Sequence, residues 1–245
     1  MQRSPTPPPY GTIVFDCDST LSSIEGIEYL ARDHREEVQA LTRKAMEGEL
    51  PLEEVFGERL ELVRPSVGDL ERTGRAYVET ALPHGPELCA ALRELGKLIC
   101  VLSGGLRPAV LHLTRTLGIE DEDVYAVGVE FDAGGSYAGF DSTNPLTRAG
   151  GKLDLLRELQ SAAPGPIALV GDGATDLEAA PACGLFVAFG GVERREKVFA
   201  GADAHCEVPD LAALLPLLTS PAERDQLASL PAHAALLRAS DACHS

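Results

Sequence analysis

Four short apolar runs constrain this chain more than anything else in it: Thr12 to Phe15, Leu98 to Leu102, Ile167 to Val170 and Leu185 to Phe189. Each is apolar along its length instead of alternating, the pattern of a strand buried on both faces. Helix-period segments separate them, so the expected fold class is α/β, a doubly wound parallel sheet with helices on both sides. Helices are expected over Pro86 to Leu95, ending at Gly96, over Arg107 to Leu117, ending at Gly118, and over Lys152 to Leu159. Residues 22–83 break the alternation, with helical patterns such as Leu52 to Val63 and no buried strand. They read as a helical insertion after the first strand, leaving 10–21 and 84–219 as the core. Val127 to Phe140 alternates around Gly134-Gly135, which suggests a hairpin. Residues 1–9 and 220–245 are expected to be terminal extensions, with an Ala-rich helix after Pro221 and a frayed end.

Three of the four runs end in polar clusters: Asp16-Cys17-Asp18-Ser19-Thr20, Ser103-Gly104-Gly105 and Gly171-Asp172-Gly173-Ala174-Thr175-Asp176. In a doubly wound sheet the carboxyl ends of the strands share one edge, where ligands bind. Each Asp alone suits a helix N-cap or an Asx turn. At converging strand ends, Asp16, Asp18 and Asp172 instead crowd negative charge that a proton or a cation must relieve. A hard, oxygen-seeking Mg²⁺ suits that donor set. Ser103 and the two glycines after it offer a hydroxyl and bare N–H groups before a helix, a nest for phosphate oxygens. Lys152, after Gly150-Gly151, begins a helix beside these clusters and is a phosphate contact in that setting.

The 38 acidic and 21 basic residues give a formal charge of −17, which disfavours nucleic acid and anionic lipid as partners. No stretch is apolar for the ~20 residues that a membrane span requires. The first nine residues are Pro-rich and lack the apolar core of a signal peptide. The cysteines at 17, 89, 100, 183, 206 and 243 show no C-x-x-C pair. They read as reduced, mostly buried residues of a cytoplasmic protein.

Taken in order, Asp16-Cys-Asp-Ser-Thr20, Ser103, Lys152 and Gly171-Asp-Gly-Ala-Thr-Asp176 resemble the haloacid dehalogenase superfamily. From about Gly11 to Leu218 the resemblance narrows to the phosphoserine phosphatase family. Its supporting stretches are Glu25-Gly-Ile-Glu, Thr42-Arg-Lys-Ala-Met46, Glu58-Arg59-Leu, Tyr137-Ala-Gly-Phe-Asp141 and Gly171 to Ala179. The resemblance implies a small phosphate ester as substrate and Mg²⁺ as cofactor. It implies that Asp16 is a nucleophile forming an aspartyl phosphate, and that Asp18 protonates the leaving alkoxide and then deprotonates water. Asp16, the backbone carbonyl of Asp18 and Asp172 would hold the metal, with Asp176 orienting their loop from behind. Ser103, Gly104, Gly105, Lys152 and Thr175 would contact the phosphoryl end of the substrate. Glu25 would meet its ammonium, Arg59 its carboxylate, and Met46 would line the pocket. Leu52 stands where the family commonly has an aromatic residue, and the Val127-Gly128 region lacks an Asn often found there.

Two other phosphate chemistries fail on spacing. A cysteine phosphatase loop needs Cys-x5-Arg, but Leu occupies position 106 and the arginine is Arg107. The Gly171 segment begins like a dinucleotide fingerprint and then places Asp176 where Gly or Ala is required. A phosphatase for another small phosphate monoester and a phospho-accepting signalling module both remain open. The acid two residues after Asp16 and the large insertion favour turnover over storage of the phosphoryl group.

Overall fold

A computed structural model describes residues 6–31, 34–47 and 52–244, without the side chains of 42–47 and 52. Met46 and Leu52, both singled out in the sequence, therefore have side chains outside the described residues.

The chain enters the sheet on β1 (Thr12–Phe15) and then forms four helices, α1 (Gly26–Ala31), α2 (Arg35–Glu47), α3 (Leu52–Val63) and α4 (Val67–Glu79). It returns through α5 (Gly85–Glu94), β2 (Leu98–Leu106), α6 (Arg107–Thr116) and β3 (Val124–Val127). A separate antiparallel pair follows, β4 (Val129–Phe131) and β5 (Tyr137–Phe140). Next come α7 (Gly151–Ala162), β6 (Ile167–Gly171), α8 (Ala174–Ala179), β7 (Leu185–Phe189), α9 (Glu196–Gly201) and β8 (Ala204–Cys206). The chain closes with α10 (Leu215–Leu218), α11 (Pro221–Ala228) and α12 (Ala234–Cys243).

The main sheet has the order β3-β2-β1-β6-β7-β8, with every neighbouring pair parallel. Period-two alternation explains why the strand runs are wholly apolar. Ile13, Phe15, Val101, Ala168, Val170, Val187 and Phe189 point into the core on one face, which α5, α6 and the C-terminal helices cover. Val14, Cys100, Leu102, Leu169, Phe186 and Ala188 point into the opposite core beneath α7, α8 and α9. From β1 the chain winds outward to β2 and β3, and from β6 to β7 and β8 in the other direction. The crevice between the carboxyl ends of β1 and β6 is thus the switch point where such sheets bind ligands.

The helical region leaves and rejoins the core at one place. Ser22 and Ala81 form an antiparallel bridge, and the Leu82 amide donates to the Leu21 carbonyl at 3.0 Å. The region has its own apolar centre of Ile27, Leu30, Phe56, Leu60 and Leu70, joined to Val127, Tyr137 and Leu146. Ser66 and Asp69 form a reciprocal capping box that starts α4.

All four apolar runs are strands, and the three named helices form with ends within three residues of those expected. Gly96 and Gly118 end their helices at φ 72° and 68°, the left-handed conformation that a side chain disfavours. The hairpin is shifted from its expected start, since Val127 closes β3 and the paired strands begin at Val129. β2 runs on to Leu106, past Ser103. The segment after Pro221 forms two helices, and Leu227 and Leu236 are fully buried in the main core. Among the described residues no helix is long and apolar enough to cross a membrane. Among the described residues the six cysteines form no disulfide, and five of them are buried.

A buried ion pair ties that C-terminal segment down. Lys97, with a side chain 2% exposed, donates to Glu223 on α11 at 2.5 Å and to the Tyr10 carbonyl at 2.7 Å. Removing one partner strands a buried charge, so Glu223→Ala is expected to cost about 3–5 kcal/mol in urea unfolding. Burial alone would raise the Glu223 carboxyl, but the hydrogen bonds from Lys97 and Ser220, with the Lys97 charge, together outweigh it and hold the group below its ordinary 4.5. Its stabilisation is therefore present above pH 4.5 and lost as pH falls through the lower folded value, where the variant and the wild type converge.

Candidate active site

Three loops meet at the switch point. The first leaves β1 at Asp16 and turns sharply, with the amides of Leu21 and Ser22 donating to the Cys17 carbonyl at 2.9 and 3.2 Å. Ser19 sits at φ 52° in this turn. The second is the Ser103-Gly104-Gly105 end of β2, where the Gly105 amide donates to Ser103 Oγ at 2.9 Å. The third follows β6, and Gly171 is required there: a Cβ at that position would sit 2.3 Å from Asp176 Cγ.

Lys152 reaches these loops from the first turn of α7. That approach depends on Gly151, whose Cβ would stand 1.6 Å from the Pro145 carbonyl oxygen. Its ammonium lies 2.8 Å from both Asp16 Oδ2 and Asp176 Oδ1. Burial alone would lower the Lys152 pKa, yet the two carboxylates hold it above its usual value, so it remains a cation. Burial raises Asp176 to about 7 against the pull of Lys152. Asp176 also accepts the Gly173 amide at 3.0 Å, so both its oxygens are engaged.

Carboxylate oxygens of Asp16, Asp172 and Asp176 lie within 4.8 Å of one another, and all three residues are buried. Asp16 Oδ1 accepts the Cys17 amide at 2.7 Å, and Asp172 Oδ1 accepts the Thr20 hydroxyl at 3.1 Å. Buried, hard oxygen donors this close fit a divalent metal site. Asp18 turns away from this group. Its Oδ1 accepts the Gly26 amide at 2.8 Å and the Tyr77 hydroxyl at 2.5 Å. Burial, then the negative charges of Glu25 and Asp16, raise its carboxyl to about 8. Such a group can carry a proton near neutral pH and give it away.

Above the loops opens a cavity of about 690 Å³ that joins the sheet edge to the helical region. Asp16, Asp18, Gly104, Lys152, Asp172 and Thr175 form its floor, and Glu25 and Arg59 are in its wall. Glu25 accepts the Ser19 hydroxyl at 2.8 Å, while the Ser22 hydroxyl bonds that of Thr80 at 2.7 Å. Burial is the first cause raising the Glu25 carboxyl. Arg59 sits 5.6 Å over the Phe56 ring, and Glu25 and Asp18 partly offset the effect of its burial. Of the site residues expected from sequence whose side chains are described, all line this cavity except Ser103, Gly105 and Asp176.

Sequence reading missed two residues here. Arg195, before α9, pairs with Asp172 and Glu193 and lies 3.7 Å from Glu25. Tyr77 occupies an ordinary core position in the helical pattern of α4, and nothing local marks its hydroxyl. The cysteine-phosphatase alternative also fails in space. Cys100 faces the core inside β2, and Arg107 donates to the Asp121 carbonyl at 2.8 Å.

Residues 10–184 match the family model of a haloacid dehalogenase-like hydrolase. The phosphoserine phosphatase of Rattus norvegicus is 37% identical over 189 residues, spanning 76% of this chain and 84% of that one. A substrate-bound phosphoserine phosphatase structure is 25% identical with a TM-score of 0.71, covering 87% of this chain and 100% of that one. A structure described as a phospho-aspartyl intermediate analogue of phosphoserine phosphatase is 26% identical with a TM-score of 0.70, over 86% and 99%. Acidic loops gathered by a parallel sheet, a helical region after the first strand and this match along most of its length agree: the chain belongs to the haloacid dehalogenase-like hydrolases.

Proposed function

We propose that this chain hydrolyses O-phospho-L-serine to L-serine and phosphate, with Mg²⁺ as cofactor and Asp16 as nucleophile. The observation that carries the substrate is the placing of Glu25 and Arg59 in the wall of one cavity whose floor holds Asp16 and Asp18. Those two charges complement the ammonium and carboxylate of an amino-acid end. The relatives named phosphoserine phosphatase support the same reading.

Asp16 attacks phosphorus while Asp18 gives its proton to the departing serine oxygen. Water then attacks the aspartyl phosphate, Asp18 takes its proton, and phosphate leaves with the Asp16 carboxylate restored. Lys152, Ser103 and the Gly104 amide hold the phosphoryl oxygens, with Thr175 beside them on the cavity floor, and the Gly105 amide orients the Ser103 hydroxyl that it donates to. Asp16, Asp172 and the Asp18 backbone carbonyl would hold Mg²⁺, whose charge offsets that of the phosphoryl group when bound. Asp176 fixes Lys152 and the Gly173 turn, and Met46 belongs to the pocket wall in this reading.

A panel of phosphate monoesters, read by released phosphate, tests the substrate. Phosphoserine is expected to give the highest kcat/KM, and excess EDTA to abolish turnover. Higher kcat/KM on an ester without the amino-acid end would overturn the assignment. Mg²⁺ at a hundred times its Kd is expected to stabilise the fold by about 2.7 kcal/mol in thermal melts, and Asp172→Asn to remove that gain. A charge-assisted hydrogen bond contributes about 1.5–3 kcal/mol, so Arg59→Ala is expected to cost ~10- to 150-fold in kcat/KM on phosphoserine. An aryl phosphate loses little, and equal losses on both would remove Arg59 from the substrate site.

A further inference from the structure

We propose that Tyr77 is a positioning residue for Asp18: its hydroxyl, with the Gly26 amide, occupies Asp18 Oδ1 and reserves Oδ2 as the oxygen that exchanges the catalytic proton. This rests on the reading of Asp18 as general acid and base.

Tyr77 is fully buried on α4, 59 residues along the chain from Asp18, and its hydroxyl donates to Oδ1 at 2.5 Å. The Gly26 amide reaches the same oxygen at 2.8 Å from the start of α1. An ionised carboxylate oxygen accepting two donors has no free lone pair in the carboxylate plane, so a proton arriving at Asp18 is placed on Oδ2. That second oxygen faces the phosphate nest, for a Cβ built on Gly105 would lie 3.2 Å from it. Position 26 is shaped around the tyrosine as well. A Cβ there would come within 2.0 Å of Tyr77 Oη, so any side chain at 26 would displace the hydroxyl. The helical region thereby fixes the orientation of a carboxylate that belongs to the sheet edge.

Each half-reaction then uses the same atom. In the first, the Asp16 carboxylate oxygen bonds phosphorus as the P–O bond to serine breaks, and the Oδ2–H bond breaks to give its proton to the serine oxygen. In the second, Oδ2 takes a proton from water as its oxygen bonds phosphorus and the P–O bond to Asp16 breaks. Small misplacements of a catalytic group cost on the order of 10²-fold.

The test compares phosphoserine with p-nitrophenyl phosphate, whose leaving group departs without a proton. Tyr77→Phe is expected to lower kcat on phosphoserine ~10- to 100-fold with KM changed less than about twofold. On the aryl ester the pre-steady-state burst of nitrophenolate keeps its rate to within about twofold, while steady turnover slows because hydrolysis still needs the base. In an Asp18→Asn background Tyr77→Phe is expected to cost nothing further, the non-additivity of two groups acting as one. Gly26→Ala, which keeps the tyrosine in the chain but pushes the end of its ring and the hydroxyl away from Asp18, repeats the pattern if Tyr77→Phe folds poorly. Unchanged kcat, a burst slowed as much as turnover, or losses that add to those of Asp18→Asn overturn the proposal. If Asp18→Asn itself keeps wild-type kcat on phosphoserine, the reading of Asp18 fails instead.

Discussion

Asp16→Asn is expected to abolish turnover, with kcat on phosphoserine falling on the order of 10⁴-fold or more while the fold survives. The carboxylate stands at the end of β1, on a side chain 12% exposed, with Oδ1 held by the Cys17 amide and Oδ2 beside the Lys152 ammonium. Those contacts fix its direction. The amide of an asparagine fits the same space, but it is a poor nucleophile and cannot form the acyl phosphate. The neighbouring thiol offers no substitute, because burial, then the charges of Asp18 and Asp16, push Cys17 well above its usual pKa. Activity is measured by phosphate release, and folding by circular dichroism and thermal melting. Retained turnover in a folded variant would remove Asp16 from the chemistry.

Asp18→Asn is expected to slow both half-reactions by roughly 10²- to 10⁴-fold, the usual scale of lost general acid–base help. Its carboxylate stands apart from Asp16, Asp172 and Asp176, so the thermal gain from Mg²⁺ is expected to persist in this variant. The pH profile carries a sign. Asp18 must be protonated to act on the leaving group, and burial with Glu25 and Asp16 raises its carboxyl to about 8. kcat/KM on phosphoserine is therefore full below the Asp18 pKa and declines as pH rises through it. The substitution removes that limb from the residual activity. A limb unchanged in the variant would assign it to another group.

Much of this site was visible in the chain because its parts sit at strand ends. A strand buried on both faces must be apolar, so Asp16, Ser103 and Asp172 stand out as the points where polarity resumes. β3 and β8 were not visible for the same reason inverted. Both are short edge strands: β8 is only Ala204–Cys206, with His205 exposed, and the apolar Val124–Val127 of β3, half-exposed at Tyr125, runs straight into the alternating hairpin segment. Tyr77 repeats with Leu70, Thr73 and Gly74 at helical spacing, so its sequence context describes only packing. Its partner lies across a loop whose path depends on the whole helical region. Arg195 lies among Glu193, Arg194 and Glu196, a mixed-charge setting typical of a solvated surface. Only the loop between β7 and α9, brought back over the carboxyl end of the sheet, places it beside Asp172 and Glu25.

The central claim is a covalent intermediate on one named carboxylate, and trapping it is the direct measurement. Enzyme is mixed with Mg²⁺ and phosphoserine labelled in its phosphoryl group, quenched in acid within the first turnover, and digested. The account predicts label on the peptide containing Asp16, released by hydroxylamine as an acyl phosphate is, and none in Asp16→Asn. Phosphate released by active enzyme during that turnover with no labelled peptide, or label on a peptide lacking Asp16, would contradict it.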